Sequence, residues 1–251
     1  MKLNNKVILI TGAAGEIGMA TVKGFLNEGA KVMMADWNIS VLSEYSNDLP
    51  GEHDFIQADV SSEDDNLEMV RATLARFGRI DVFVANAGVE GKIGPIDECS
   101  LQEFQRVMSI NVNGVWLGLK AVLPAMKAHG GSIIITSSGA GVQGSPNMMS
   151  YNTSKHAAIG LMRCAAKEFA PFNIRVNTVN PGPLDTRMMR SIEEGYAPGN
   201  AAFFKSQLEQ VTPMGRYGRA DEITGMMVFL ASDDASYCTG GTYMVDGGNS
   251  C

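Results

Sequence analysis

Short apolar runs alternate with stretches of helical spacing along almost the whole chain. Residues 6–11 hold Val7-Ile8-Leu9-Ile10 with no polar alternation, the mark of a strand buried on both faces. Residues 16–28 place Ile17, Ala20, Val22, Phe25 and Leu26 at helical spacing, which predicts a helix with one apolar face. The rhythm then repeats, with strands predicted at 31–35, 54–58, 80–85, 132–137, 174–180 and 242–246. Helices are predicted at 39–48, 63–77, 101–109, 112–129, 151–170 and 220–231. Ser61 or Ser62 caps the third helix at its start, and Gly130-Gly131 closes the one at 112–129.

Uninterrupted apolar strands alternating with helices imply an α/β domain: a parallel sheet covered on both faces, with right-handed crossovers. No repeat, low-complexity tract or linker divides the chain, so residues 1–251 are expected to form one domain. Residues 183–219 break the rhythm, with Gly195, Pro198, Gly199 and Pro213 around short helical pieces. A long excursion inside such a domain is usually a functional lid, here expected at about 184–212.

Composition narrows the function. The 251 residues are 45% hydrophobic, with net charge −7 and pI about 5.0. No run of Lys and Arg offers a nucleic-acid or membrane-surface footprint. The longest apolar runs are strand-sized, and Met1-Lys2-Leu3-Asn4-Asn5-Lys6 leads into no signal-peptide core, so a cytoplasmic location is expected. Cys99, Cys164, Cys238 and Cys251 show no C-x-x-C, and His53, His129 and His156 show no ligand spacing, so no metal is expected.

The candidate chemistry centres on Tyr151 and Lys155, which share a helix face. A cation close to a phenol favours the phenolate and lowers a pKa that is ordinarily about 10. That suits a general acid/base. Thr11-Gly12-Ala13-Ala14-Gly15-Glu16-Ile17-Gly18 follows the first strand and opens the first helix, where small residues let a pyrophosphate approach the backbone. Asp36 ends the second strand, 18 residues after Gly18. A carboxylate there accepts from ribose hydroxyls and repels a 2′-phosphate, which favours NAD over NADP.

These features together resemble the short-chain dehydrogenase/reductase family over almost the whole length. The turn resembles its T-G-x-x-x-G-I-G, with Glu16 standing where the family has its middle glycine. Asp59-Val60 matches the adenine-contacting pair, and Asn86-Ala87-Gly88 matches the N-A-G that passes under the cofactor. Asn111 matches the catalytic asparagine, and Ser138, 13 residues before Tyr151, matches the catalytic serine. Pro181-Gly182-Pro183-Leu184-Asp185-Thr186 matches the P-G motif with its downstream threonine, the contact for the nicotinamide carboxamide.

The resemblance implies a doubly wound Rossmann-type fold with seven parallel strands in the order 3-2-1-4-5-6-7. It implies cofactor contacts at the matched motifs, including Gly12, Glu16, Ile17, Gly18, Asp36, Trp37, Leu184 and Thr186. Tyr151 would move the substrate's hydroxyl proton, with Ser138 holding the same oxygen. Lys155 would bind the nicotinamide ribose and, with the positive ring of the oxidised nicotinamide, lower the Tyr151 pKa, and Asn111 would hold a water linking Lys155 to solvent. The substrate would lie among residues 139–149, 89–94 and 184–210. There Val142, Met148, Met149, Met188 and Met189 are apolar, and Gln143, Asn147 and Arg187 supply polar contacts. A neutral, medium-sized secondary alcohol or ketone, cyclic in one reading, fits that lining. The family also implies a homotetramer. Two alternatives stay open: a 3-oxoacyl carrier-protein reductase, and a non-catalytic dinucleotide sensor.

Overall fold

A strand apolar on every residue is stable only where both faces are covered, and that is where the chain puts its strands. The computed structural model describes residues 1–251. Its strands are β1 (Val7–Thr11), β2 (Lys31–Asp36), β3 (His53–Gln57), β4 (Val82–Ala85), β5 (Gly131–Thr136), β6 (Ile174–Pro181) and β7 (Thr242–Val245). They form one seven-stranded sheet in the order β3-β2-β1-β4-β5-β6-β7, and every pairing is parallel. The expected architecture and strand order are therefore observed.

The helices are α1 (Glu16–Asn27), α2 (Ile39–Ser46), α3 (Glu63–Phe77), α4 (Leu101–Met108), α5 (Gly114–Met126), α6 (Met149–Phe169), α7 (Arg187–Tyr196), α8 (Ala201–Val211) and α9 (Asp221–Ala231). One apolar cluster packs α3, α5 and α6 on one sheet face, around Leu9, Phe83, Ile133 and Ile135. The other packs α1 and α9 on the opposite face, around Ile8, Ile10, Val84 and Ile134. Alternate residues of one strand thus feed opposite cores, and each large side chain fully buried this way contributes about 1.5–3 kcal/mol. Ser62 rather than Ser61 caps α3, accepting from Asp65 N, and Gly78 at φ 84° ends it.

One expectation is corrected. The helices expected at 101–109 and 112–129 are not separate. α4 runs through a π turn at Ser109–Asn113 into α5, and Met108, Asn113 and Gly114 all keep helical φ/ψ. The turn widens the helix by one residue without breaking it, and such turns recur at functional sites. Asn111 sits inside it.

The excursion after β6 is closed at its base, where Asp185 N donates to Gly218 O and Gly218 N to Pro183 O. Within it α7 and α8 lie over the carboxyl ends of the strands. There Met148, Tyr151, Met189, Ile192 and Tyr217 form a third, five-residue apolar cluster.

Candidate active site

The strand ends converge at the switch between β1 and β4, the usual place for a ligand in an open α/β sheet. The turn from β1 to α1 needs its glycines. Gly12 holds φ +64°, and a Cβ there would lie 2.6 Å from Ala87 Cα. At Gly18 it would lie 2.2 Å from Gly12 O. Glu16 needs no glycine backbone: it is the first residue of α1, and both its carboxylate oxygens accept from Arg187 N at 3.0 and 2.9 Å.

Asp36 is buried, and its carboxylate accepts from Ala14 N at 2.9 Å and Asn38 N at 3.0 Å. It is therefore fixed rather than solvated, with lone pairs left on both oxygens. Asn86 ties three strand ends together. Its amide donates to Thr11 O and Gly12 O and accepts from Thr136 Oγ1. Its side chain serves the cradle itself. Trp37 stands 74% exposed at the rim beside Asp36.

The catalytic candidates meet one strand further along. Lys155 is buried, donates to Thr136 O at 2.9 Å, and holds its Nζ 5.6 Å from the centre of the Tyr151 ring. Two ammonium protons remain for a ligand. Ser138 Oγ accepts from Ala140 N at 3.1 Å, which leaves its own proton to donate. Asn180 Nδ2 grips the Ser138 carbonyl at 2.8 Å. Asn111 lies just behind, and its side chain is committed. It donates to Val89 O and Ser154 Oγ and accepts from Val89 N, each at 2.9 Å. Any water that Asn111 holds therefore finds no free donor on that side chain.

The electrostatics run against what the spacing of Tyr151 and Lys155 alone suggests. With the chain's own groups, burial pushes Tyr151 up to about 12, more than the neighbouring Ser138 hydroxyl lowers it, and the Glu90 carboxylate adds to the rise. Burial also pushes Lys155 down to about 8. Desolvation thus outweighs the pairing that the four-residue spacing suggested.

The expected cofactor residues and most of the expected substrate residues line one cavity of about 980 Å³: Gly12, Glu16, Ile17, Gly18, Asp36, Trp37, Asp59, Val60, Asn86, Ala87, Gly88, Ser138, Gln143, Met148, Tyr151, Lys155, Pro181, Gly182, Leu184, Thr186 and Met189. Of the expected catalytic residues, Asn111 alone does not line it, being sealed behind the wall at 1% exposure. Thr186 also caps α7, accepting from Met189 N. Val142, Asn147 and Met149 do not face this cavity; Val142 and Met149 are exposed.

The sequence reading covered Tyr196, Phe204 and Leu208 only within the 184–210 range, without singling them out, and missed Asn249 of the tail; all four line the cavity. Tyr196 stacks on Phe204 at 4.6 Å and donates to Pro146 O across the mouth. Asn249 O accepts from Gln143 Nε2, because Gly247 and Gly248 at φ 63° and 85° turn the tail back. The Asp246-Gly247-Gly248 run was the available signal.

These residues fit a dinucleotide. The cradle is kept open at Gly12 and Gly18, where any Cβ would collide, and it ends on the fixed Asp36 carboxylate. Gly12, Gly18, Asp36 and Asp59 would hold the adenosine and pyrophosphate end. Lys155, Pro181, Gly182 and Thr186 would hold the other.

Comparison with known proteins agrees. A family model described as enoyl-(acyl carrier protein) reductase matches residues 12–250. Levodione reductase of Leifsonia aquatica is 38% identical, over 99% of this chain and 96% of its own. A 3-oxoacyl-acyl-carrier-protein reductase of Thermotoga maritima is 37% identical, over 99% of each. Cyclohexanol dehydrogenase of an Acinetobacter species is 33% identical, over 98% of this chain and 95% of its own. Among solved structures, an NAD+-bound xylitol dehydrogenase superposes with a TM-score of 0.93 at 35% identity, covering 99% of this chain and 100% of that one.

Proposed function

The chain belongs to the short-chain dehydrogenase/reductase family, and from that premise we propose that it interconverts a secondary alcohol on a cyclic skeleton and its ketone, using NAD(H). The convergence of Ser138, Tyr151 and Lys155 on one cavity wall carries the reading. Tyr151 Oη gives or takes the proton of the reacting oxygen. The Ser138 hydroxyl donates to that oxygen and fixes its distance from Tyr151. Lys155 stays protonated at neutral pH, because its lowered value of about 8 is still above 7, and it turns its spare protons toward a ribose. The proton path runs from Lys155 past Asn111. The nicotinamide, when bound, supplies or accepts the hydride.

The preference for NAD rests on Asp36. A fixed carboxylate beside the ribose accepts from its hydroxyls and repels a 2′-phosphate. The cyclic skeleton rests on the apolar wall of Met148, Met188, Met189, Ile192 and Phe204, and on the similarity to cyclohexanol dehydrogenase. The carrier-protein reading draws on the family model and the Thermotoga maritima relative. Asp36 and Glu16 weigh against its usual NADPH. A homotetramer in the cytoplasm belongs to the same proposal; Leu101 on α4 and Trp116 on α5 lie exposed, and no helix is long and apolar enough to cross a membrane.

A panel of cyclic, aromatic and acyclic alcohols and ketones, each with NAD(H) and NADP(H), tests this through the reduced-nicotinamide absorbance. Fastest turnover on cyclic substrates with NAD(H) is expected. A strong preference for NADPH and 3-oxoacyl thioesters would replace the proposal with the carrier-protein reading. Tight NADH binding without turnover on any substrate would favour a sensor.

A further inference from the structure

Glu16 stands at a position that the fold leaves open, and it reaches across the cleft. It begins α1 directly after Gly15, whose own cap position has no side-chain hydrogen bond. Its carboxylate extends to the lid, where both oxygens accept from the amide of Arg187, the first residue of α7. The helix dipole at the start of α7 favours a negative group at that place. The far end of α7 is fastened separately, by Tyr196 Oη on Pro146 O. The base of the lid is fastened by Asp185 N on Gly218 O. α7 is thus a strap from the cofactor turn to the substrate loop, and Glu16 is its buckle on the cofactor side.

We propose that Glu16 is a positioning residue that clasps the lid helix to the cofactor turn and thereby sets how fast the cofactor leaves. The release half rests on the dinucleotide reading above; the clasp does not. A cofactor lying between the turn and α7 leaves only when α7 lifts. Lifting α7 breaks a charge-assisted bond to a backbone amide, weakened by solvent because Glu16 and Arg187 are both exposed. Nothing else in the first turn of α7 crosses the cleft in this way: Thr186 Oγ1 accepts from Met189 N within the helix itself.

The test compares wild type, Glu16→Gln and Glu16→Ala. Amide hydrogen exchange of the cofactor-free protein reads the clasp, and stopped-flow fluorescence with NADH reads release. The Glu16→Ala change is expected to speed exchange across Arg187–Tyr196 by about threefold to fivefold, the scale of one solvent-exposed charged contact. Exchange in β1 and β4 should stay unchanged. Glu16→Gln, which keeps one neutral acceptor, should fall between. NADH release should quicken in the same order. Wild-type exchange of α7 in Glu16→Ala would overturn the clasp. Faster exchange with unchanged or slower release would overturn the control of release, because the carboxylate would then act on the cofactor's charge instead. Failure of the wild type to bind NADH would count against the dinucleotide reading alone, and the exchange arm would still decide the clasp.

Discussion

The cofactor cradle and the lid face each other across one cavity, and they are built in opposite ways. In the cradle, side chains are fastened to backbone. Asp36 holds two amides, and Asn86 joins β1, β4 and β5 through Thr11, Gly12 and Thr136. The lid is tied to backbone only at its edges, by Glu16 on Arg187 N and Tyr196 Oη on Pro146 O, and its interior relies on apolar contact. Its cluster has five buried residues against 24 and 22 in the two main cores, and α8 buries none. Hydrogen-bonded geometry admits few alternatives, whereas methionine-rich packing can be remodelled at small cost. The difference separates two tasks. On the proposed function, the cradle would fix which cofactor lies where, and the lid would decide which carbon skeleton is shown to Tyr151.

The comparison breaks most sharply at the glycines. Replacing Gly18 with Ala forces a Cβ to 2.2 Å from Gly12 O. The backbone must shift at a cost of about 1–3 kcal/mol, so NADH affinity measured by fluorescence titration should fall roughly tenfold to a hundredfold. Wild-type affinity would show that the cradle is soft after all. Asp36→Ala comes next. Losing a charged acceptor costs about 1.5–3 kcal/mol, which should weaken NADH at least about tenfold and narrow the gap to NADPH. Equal loss of both cofactors would remove Asp36 from the recognition of the ribose.

On the lid side, Met189→Ala should behave differently. Met189 is 8% exposed within the five-residue cluster. Its truncation should cost about 2 kcal/mol, near the bottom of the range for buried methionine, and raise the substrate KM severalfold. NADH affinity should not change; if it does, the two halves are not separable. The smallest effect is in pH. Lys155 titrates at about 8 when folded and at 10.5 in the free residue. Between those values the unfolded chain binds the extra proton, so stability should rise with pH, and Lys155→Met should flatten that rise. Urea midpoints at about pH 8 and pH 9.5 read it, below the window from 10 to about 12 where the raised Tyr151 acts in the opposite sense.

What the residues disclosed follows the same division. The strands and the cradle motifs were legible because each depends on local pattern: apolar runs, glycines at turns, an acidic residue at a strand end; the strand order came only from the family resemblance. The π turn at Ser109–Asn113 was not, since apolar spacing continues through it and only a gap in helix register marks it. The Tyr151 shift went the other way because spacing shows a nearby cation and says nothing of burial. Asn249 and the reach of Glu16 depend on contacts 106 and 171 residues apart, which no window along the chain contains.

The central claim is that Tyr151 moves the proton while the cradle binds the cofactor without it. Tyr151→Phe keeps the ring and removes the hydroxyl. Single-turnover hydride transfer from NADH to a cyclic ketone, measured beside NADH affinity, tests the claim directly. The account predicts loss of transfer by about a thousandfold, within the usual range for a general acid, with NADH affinity unchanged. Near-wild-type transfer in Tyr151→Phe would contradict it.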